Sequence, residues 1–318
     1  MTMSAPSLAK DDAIVDLRRR ILPEAEGLDD RLRELARSTG PVEAFRHLIS
    51  SKPFRKAYSD VFAGIGYDYP LGPIEYEVDA AGRAELLAHV KREWEKLGRE
   101  DPHWSVLSDE VFRAEGIRRA TARFDNSGVQ ETRRLIGGLK RQGIAPPFAV
   151  GVEYGCGLGR VSLPLSAHCG VLHAYDISEP HLRLAREAAA AKGVTNIEFG
   201  CVQDPAGALV QDYDLFYSTL VFQHNPPPVI VELIRAALSG LRKGGAAVFQ
   251  VPVFRKNYRF VLEDYLAAEH AGIEMHCVPQ RVVFELIEAA GCRLVDCFET
   301  SVSLRDRILS NIFTAIKA

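Results

Sequence analysis

No run of about 18 apolar residues occurs in the chain, so the sequence offers no transmembrane helix. The opening residues, MTMSAPSLAKDD, lack the apolar stretch of a secretory signal. Cysteine is sparse and unpatterned. The six, at 156, 169, 201, 277, 292 and 297, form no C-x-x-C pair, and no histidine stands at zinc-ligand spacing from them. A zinc module or disulfide framework is therefore not expected; the cysteines read as reduced, and the protein as cytoplasmic. An excess of one charge is also missing. Lys+Arg number 39 against 42 Asp+Glu, with 24 of each sign in residues 1–143 and 15 against 18 in residues 144–318. Neither part has the basic field of a nucleic-acid binder. The longest basic cluster, Arg18-Arg19-Arg20, lies beside Asp11, Asp12 and Asp16 and reads as a solvated helical face. What is present, 47% hydrophobic and 25% charged residues over 318 positions, fits two globular domains or one domain with an appendage.

Apolar spacing predicts helices over much of residues 8–63, with Pro23 dividing the first two, and further helices near 82–98 and 129–142. Residues 64–80 read as a Gly- and Pro-punctuated loop. The texture changes at Pro146-Pro147. Strands are expected at 148–154, 170–176, 196–203, 213–222, 246–254, 292–300 and 308–317, with helices near 158–168, 179–192, 226–241 and 278–290. This alternation predicts βαβ crossovers, a parallel sheet and helices on both faces. The division falls into a mainly helical region, 1–143, and an α/β domain, 144–318.

The segment Val152-Glu153-Tyr154-Gly155-Cys156-Gly157-Leu158-Gly159-Arg160 joins the first strand of that domain to its first helix, the ligand-binding end of an open α/β sheet. Glycines at a spacing of two permit a sharp turn and let a ligand approach the backbone. Arg160 stands where a dinucleotide fingerprint needs its third glycine, which counts against a dinucleotide-dependent oxidoreductase. Asp176 ends the next strand, and its carboxylate can accept from both hydroxyls of a ribose.

With these features residues 144–318 resemble the class I S-adenosylmethionine-dependent methyltransferases. The resemblance implies a Rossmann-like, seven-stranded, mostly parallel sheet with helices on both faces. It also implies S-adenosylmethionine as cofactor, with Gly155, Gly157 and Gly159 around its methionine part and Glu153, in place of the more usual Asp, near its amino group. Asp176 corresponds to the ribose-binding acid, Ile177 to the residue packed on adenine, and Asp204 with its neighbour Gln203 to the adenine end. In YDLFYSTLVFQHNPPP, Ser218 and Thr219 correspond to cofactor-lining positions, and Gln223-His224 to those facing the methyl group. Upstream, HWSVLSDEVFRAEGI (103–117) and Phe124–Gly128 are similar to the lead-in of a bacterial subgroup associated with glycan or secondary-metabolite loci. That similarity implies a lid, with Trp104 touching the cofactor; on its own residues Trp104 is equally a core or interface aromatic.

A sulfonium methyl donor calls mainly for alignment and exclusion of water. A hydroxyl acceptor adds the need for a base, and His224 is the candidate, with a structural turn histidine as the other reading. The acceptor is expected to be a small molecule or glycan, bound under the helical region and the segment 255–277. No metal, nucleic acid or membrane is expected to take part. A binding subunit that merely kept the fold is the non-enzymatic alternative, and the oligomeric state is not specified.

Overall fold

The computed structural model describes residues 10–23, 26–57, 72–202, 204, 209–270, 272–303 and 308–318. Its chain forms two compact units, residues 1–68 and 69–318. The change of texture near residue 144 marks a change of secondary structure; the helices of residues 80–141 belong to the larger unit with the sheet.

In the smaller unit, α1 (Lys10–Ile21), α2 (Asp29–Ser38), α3 (Pro41–Ser50) and α4 (Lys52–Ala57) bury Val15, Leu32, Ala44 and Leu48. One expectation is corrected here. Arg18 is buried: its Nε donates to Asp29 Oδ1 at 2.6 Å and its Nη1 to the Leu22 and Pro23 carbonyls. Only Arg19 and Arg20 stay in water, at 61% and 74% side-chain exposure. A guanidinium can be buried when its N–H groups are matched this way.

The larger unit is built on one sheet: β1 (Phe148–Tyr154), β2 (Cys169–Asp176), β3 (Ile197–Cys201), β4 (Tyr213–Ser218), β5 (Leu241–Arg255), β6 (Cys292–Ser303) and β7 (Ile308–Lys317), in the order β3-β2-β1-β4-β5-β7-β6. Neighbours from β3 through β5 run parallel, and β7 is antiparallel to both β5 and β6. All seven expected strands are present. β4 is buried along its whole length, as a central parallel strand covered on both faces must be. The helices are α5 (Ala80–Glu100), α6 (Pro102–Val106), α7 (Ile117–Arg141), α8 (Ser162–Ser166), α9 (Glu179–Ala191), α10 (Pro227–Ser239), α11 (Leu262–Ala267) and α12 (Gln280–Ala289). Among the described residues no helix is long and apolar enough to cross a membrane. The six cysteines are unpaired.

Two helices differ from expectation. The helix expected over 158–168 shrinks to the five residues of α8, because the glycine turn runs on to Val161. The helix expected over 129–142 begins three turns earlier, at Ile117. Asp125-Asn126-Ser127-Gly128 has poor helix propensity, but this stretch packs directly on the glycine turn. A Cβ on Gly128 would lie 1.9 Å from the Arg160 carbonyl oxygen, so helix and turn touch backbone to backbone. Residues 64–71 of the expected loop lie outside the described residues. Residues 72–79 form no helix or strand beyond a bridge from Ile74 to Phe260, and Asp79 caps α5 by accepting from the Gly82 N–H at 2.7 Å.

Gly128→Ala should destabilise the protein although it gains about 1 kcal/mol of helix propensity. A backbone oxygen has no rotamer by which to escape, so the cost belongs at the upper end of the roughly 1–3 kcal/mol for overpacking. The expected net loss of about 2 kcal/mol is read from the urea midpoint; an unchanged midpoint would show that α7 is free to lift off the turn.

Candidate functional site

At the carboxyl ends of β1, β2 and β4 lies a cavity with about 760 Å³ of empty space counted out to its mouth, within the range of sites for small molecules and cofactors. The glycine turn forms its floor. Gly155, Gly157 and Gly159 all have positive φ, of 77°, 53° and 75°. At Gly155 a side chain is excluded twice, because a Cβ would also lie 2.2 Å from Val221. The Gly155 and Cys156 N–H groups donate to the Tyr175 carbonyl, which ties the turn to the end of β2. One residue on, the buried Asp176 carboxylate accepts from the Gly157 N–H at 2.8 Å and from the Ser178 N–H at 2.9 Å. Each oxygen then has lone pairs left for a ligand.

At the other end of the turn Glu153 is 4% exposed, and its Oε2 has no hydrogen-bond partner. Burial pushes this carboxyl up to about 7, against the opposing pull of Ser162 and the Arg160 guanidinium. Beside it α7 contributes Glu131, whose Oε1 accepts from Tyr217 OH at 2.7 Å and from Thr219 Oγ1 at 3.0 Å. Its Oε2 lies 3.5 Å from the buried Arg160. Burial and the Glu131 charge hold the Tyr217 phenol far above its ordinary value, so it stays a donor.

The roof comes from α5 and α6. Val90, Trp94, Ser105 and Val106 line the cavity, and a Cβ on Gly157 would come within 2.8 Å of a Val106 methyl. The roof is fastened at His181, on α9. Its Nε2 is 2.9 Å from Ser105 Oγ and its Nδ1 2.7 Å from Ser178 Oγ, while Ser105 donates to the Pro102 carbonyl. Ser178 Oγ also donates to the Trp94 carbonyl at 3.1 Å, which ties α5 to the same point, and burial lowers the His181 pKa and so favours a neutral ring.

Glu153, Gly155, Gly157, Asp176, Ile177 and Thr219 thus meet in one cavity. Other expected site residues stand elsewhere. Ser218 is turned away, donating to the Tyr154 carbonyl at 2.9 Å. Gly159 supports the turn without lining the cavity, and Gln203 lies outside the described residues. Asp204 is 3.6 Å from Arg83, outside the lining. Trp104 stacks under Arg113, whose guanidinium carbon is 3.7 Å from the ring centroid, and Trp94 is the tryptophan at the cavity. His224, expected beside the methyl group, also does not line the cavity. Its Nε2 is 3.0 Å from Gln223 Nε2 and its Nδ1 2.9 Å from the Glu274 carbonyl, so both nitrogens are occupied. Burial lowers its pKa to about 4.

Segment 255–277 supports that histidine. Tyr265 OH donates to Glu274 Oε2, and His270 Nδ1 is 2.6 Å from Glu274 Oε1. These groups, with His276, hold the Glu274 carboxyl down at about 2 against the upward push of its partial burial. Among the described residues no group of three or more His, Cys, Asp or Glu is arranged to hold a metal ion. Sequence reading missed Glu131, Tyr217, Trp94, Val106 and His181. Each is an unremarkable member of a helix or strand, and only the packing of α5–α7 against the sheet brings them in.

Glu153 has a raised folded-state pKa, so its contribution is favourable below its unfolded value near 4.5 and is lost as pH rises through about 7. Glu153→Gln should therefore leave stability nearly unchanged at pH 4 and raise it at pH 8 by up to about 3 kcal/mol. Urea midpoints at the two pH values check this; equal effects at both would show that the carboxyl is not desolvated.

Residues 152–245 match the model of a family described as a methyltransferase domain. No curated protein is similar enough in sequence to count as a relative. Among solved structures, the chain is similar to magnesium protoporphyrin IX methyltransferase from Synechocystis PCC 6803 with bound S-adenosylhomocysteine, at 18% identity and a TM-score of 0.52, covering 73% of this chain and 100% of that one. The same enzyme with bound S-adenosylmethionine gives 17% identity and a TM-score of 0.52, covering 77% and 100%. N-methyltransferase NodS from Bradyrhizobium japonicum WM9 gives 15% identity and a TM-score of 0.49, covering 73% and 98%. At such identities the likeness is one of fold. With that family match over the glycine turn and the strands around it, residues 152–245 are a methyltransferase domain, set in a fold that S-adenosylmethionine-dependent methyltransferases share.

Proposed function

We propose that the enzyme transfers the methyl group of S-adenosylmethionine to an oxygen of a small-molecule acceptor, a sugar, a glycan or a similar metabolite, in the cytoplasm. The observation that carries the reading is the pair of carboxylates at the two ends of one glycine cradle. Glu153 has an oxygen without a partner, in a pocket that penalises its charge, which suits an ammonium group. Asp176 is oriented by two backbone N–H groups, which suits a ribose diol. When bound, the cofactor supplies a methyl group on a positively charged sulfur.

The chain's own part is to hold and to exclude. Trp94 and Val106 close the roof over the turn and keep water from the reacting centre, and Tyr217, Thr219 and Leu220 border the side where an acceptor would approach. The near balance of charge supports a small acceptor over a nucleic acid. With its ring held at both nitrogens, His224 acts in this reading through structure, fixing Gln223 and the Glu274 backbone, and alignment carries the rate.

Asp176→Ala should weaken binding of S-adenosylhomocysteine by about 1–3 kcal/mol, the cost of leaving two ribose hydroxyls unpaired, as measured by calorimetry. Unchanged affinity would remove Asp176 from the site, and failure of the native protein to bind would remove the reading as a whole. A product screen with methyl-labelled cofactor over sugars, glycans and small metabolites tests the acceptor.

His224→Ala should lower stability by about 1–3 kcal/mol, because it strands the Gln223 amide and the Glu274 carbonyl. Turnover measured well below the melting temperature should fall less than tenfold. A loss of about 10² or more in kcat with stability intact would instead identify His224 as the base.

A further inference from the structure

Behind the residues that border the cofactor cavity lies a second, larger hollow. It runs between α7 and the open face of β5, β7 and β6, with about 1380 Å³ of empty space counted out to its mouth. Tyr217, Thr219 and Leu220 line both spaces, so the hollow abuts the cavity where an acceptor would meet the methyl group. Its floor sets Val248 on β5, Ile312 on β7 and Phe298 on β6, the last 47% exposed, among the polar Gln250, Asp296, Thr300 and Thr314. Phe298 is the large apolar side chain left open there, and Val248 and Ile312 beside it belong to the edge of the core.

The helix wall of the groove carries a second sign. Gly137 and Gly138 sit near the C-terminal end of α7, four and three residues before Arg141, where glycine still weakens the helix relative to alanine. Neither has the positive φ that would require glycine. Neither is pressed by a neighbour, since a Cβ at either would meet only the guanidinium tip of Arg141, at 3.8 Å. Gly128 on the same helix is held to glycine by a backbone contact, whereas this pair faces empty space. The described residues give no protein contact that requires these two glycines, which is the pattern expected where a ligand approaches the helix.

The rim is cationic. Arg133, Arg134 and Arg141 project from α7 into the groove, and no ion pair to any of them is present among the described residues. Two carboxylates share the groove. Glu131 is committed to Tyr217, Thr219 and Arg160, which leaves Asp296 alone opposite three guanidinium groups.

We propose that this groove is the acceptor site and that it takes an amphipathic anion: a molecule with an extended apolar body lying along Val248, Ile312 and Phe298, and a carboxylate, sulfate or phosphate group on the α7 arginines. The proposal rests on the methyl-transfer reading and narrows its acceptor to molecules with such a body and charge. The glycine pair makes room for the body. The arginines, matched in geometry to planar anions, hold the charged end.

The test uses the full-length protein saturated with S-adenosylhomocysteine and two probes of equal chain length, dodecanoate and dodecyltrimethylammonium. Calorimetry should show dodecanoate binding at least tenfold more tightly. Gly138→Leu, which fills the window in the helix wall, should weaken dodecanoate at least tenfold and leave S-adenosylhomocysteine affinity within twofold. Should that variant fold poorly, the double variant Arg134→Gln, Arg141→Gln should abolish the preference for the anion without touching the core. Equal affinity for the two probes, or dodecanoate binding indifferent to these substitutions, would overturn the proposal. Methyl label recovered only in neutral sugars, with turnover unchanged in Gly138→Leu, would remove the acceptor role and leave methyl transfer standing. Absence of cofactor binding would remove the transfer reading, while the anion preference would still be decided by the probes.

Discussion

The Asp176 carboxylate accepting two backbone N–H groups is the constraint on which the rest of the site depends. One oxygen fixes Gly157 in the turn after β1, and the other fixes Ser178 at the start of α9. Ser178 in turn meets His181, which holds Ser105 and hence α6. A single buried acid therefore sets the floor of the cavity and, through two further hydrogen bonds, the height of its roof. The cost of burying the acid is offset because both oxygens are hydrogen-bonded.

The sheet was readable from sequence because parallel strands buried on both faces appear as short apolar runs between helical patterns. All seven strands are seen at their expected places, with ends that move by a few residues. The glycine turn and Asp176 were readable for a related reason: the conformation permits few residue types. The helices around the site were less legible. Nothing local in Asp125–Gly128 announces a helix, and the contact of Gly128 with the Arg160 carbonyl exists only in the assembled fold. Tryptophan shows the same limit. Both Trp94 and Trp104 precede the domain on helical segments, and which of them faces the cavity depends on how α5 and α6 pack.

His224 shows how an expectation drawn from position in the chain can mislead about chemistry. It follows β4 at the place the resemblance marks, yet the turn Phe222–His224 rotates the ring toward Gln223 and the Glu274 carbonyl. Segment 255–277, with its Tyr265, His270 and Glu274 network, completes that environment from far along the chain. A nucleophile or base needs a lone pair facing the substrate, and this ring has none to spare.

Glu153 and His224 are both buried, and burial favours the neutral form of each. For the acid that means keeping a proton as the solution rises toward pH 7; for the imidazole it means refusing one until the solution falls toward pH 4. Between about pH 4.5 and 6.5 unfolding therefore releases a proton at one residue and captures one at the other. Their contributions to the proton count of unfolding are opposite in sign and similar in size. The pair together therefore adds nothing to the dependence of the heat of unfolding on the ionisation enthalpy of the buffer in that range, although each group by itself would.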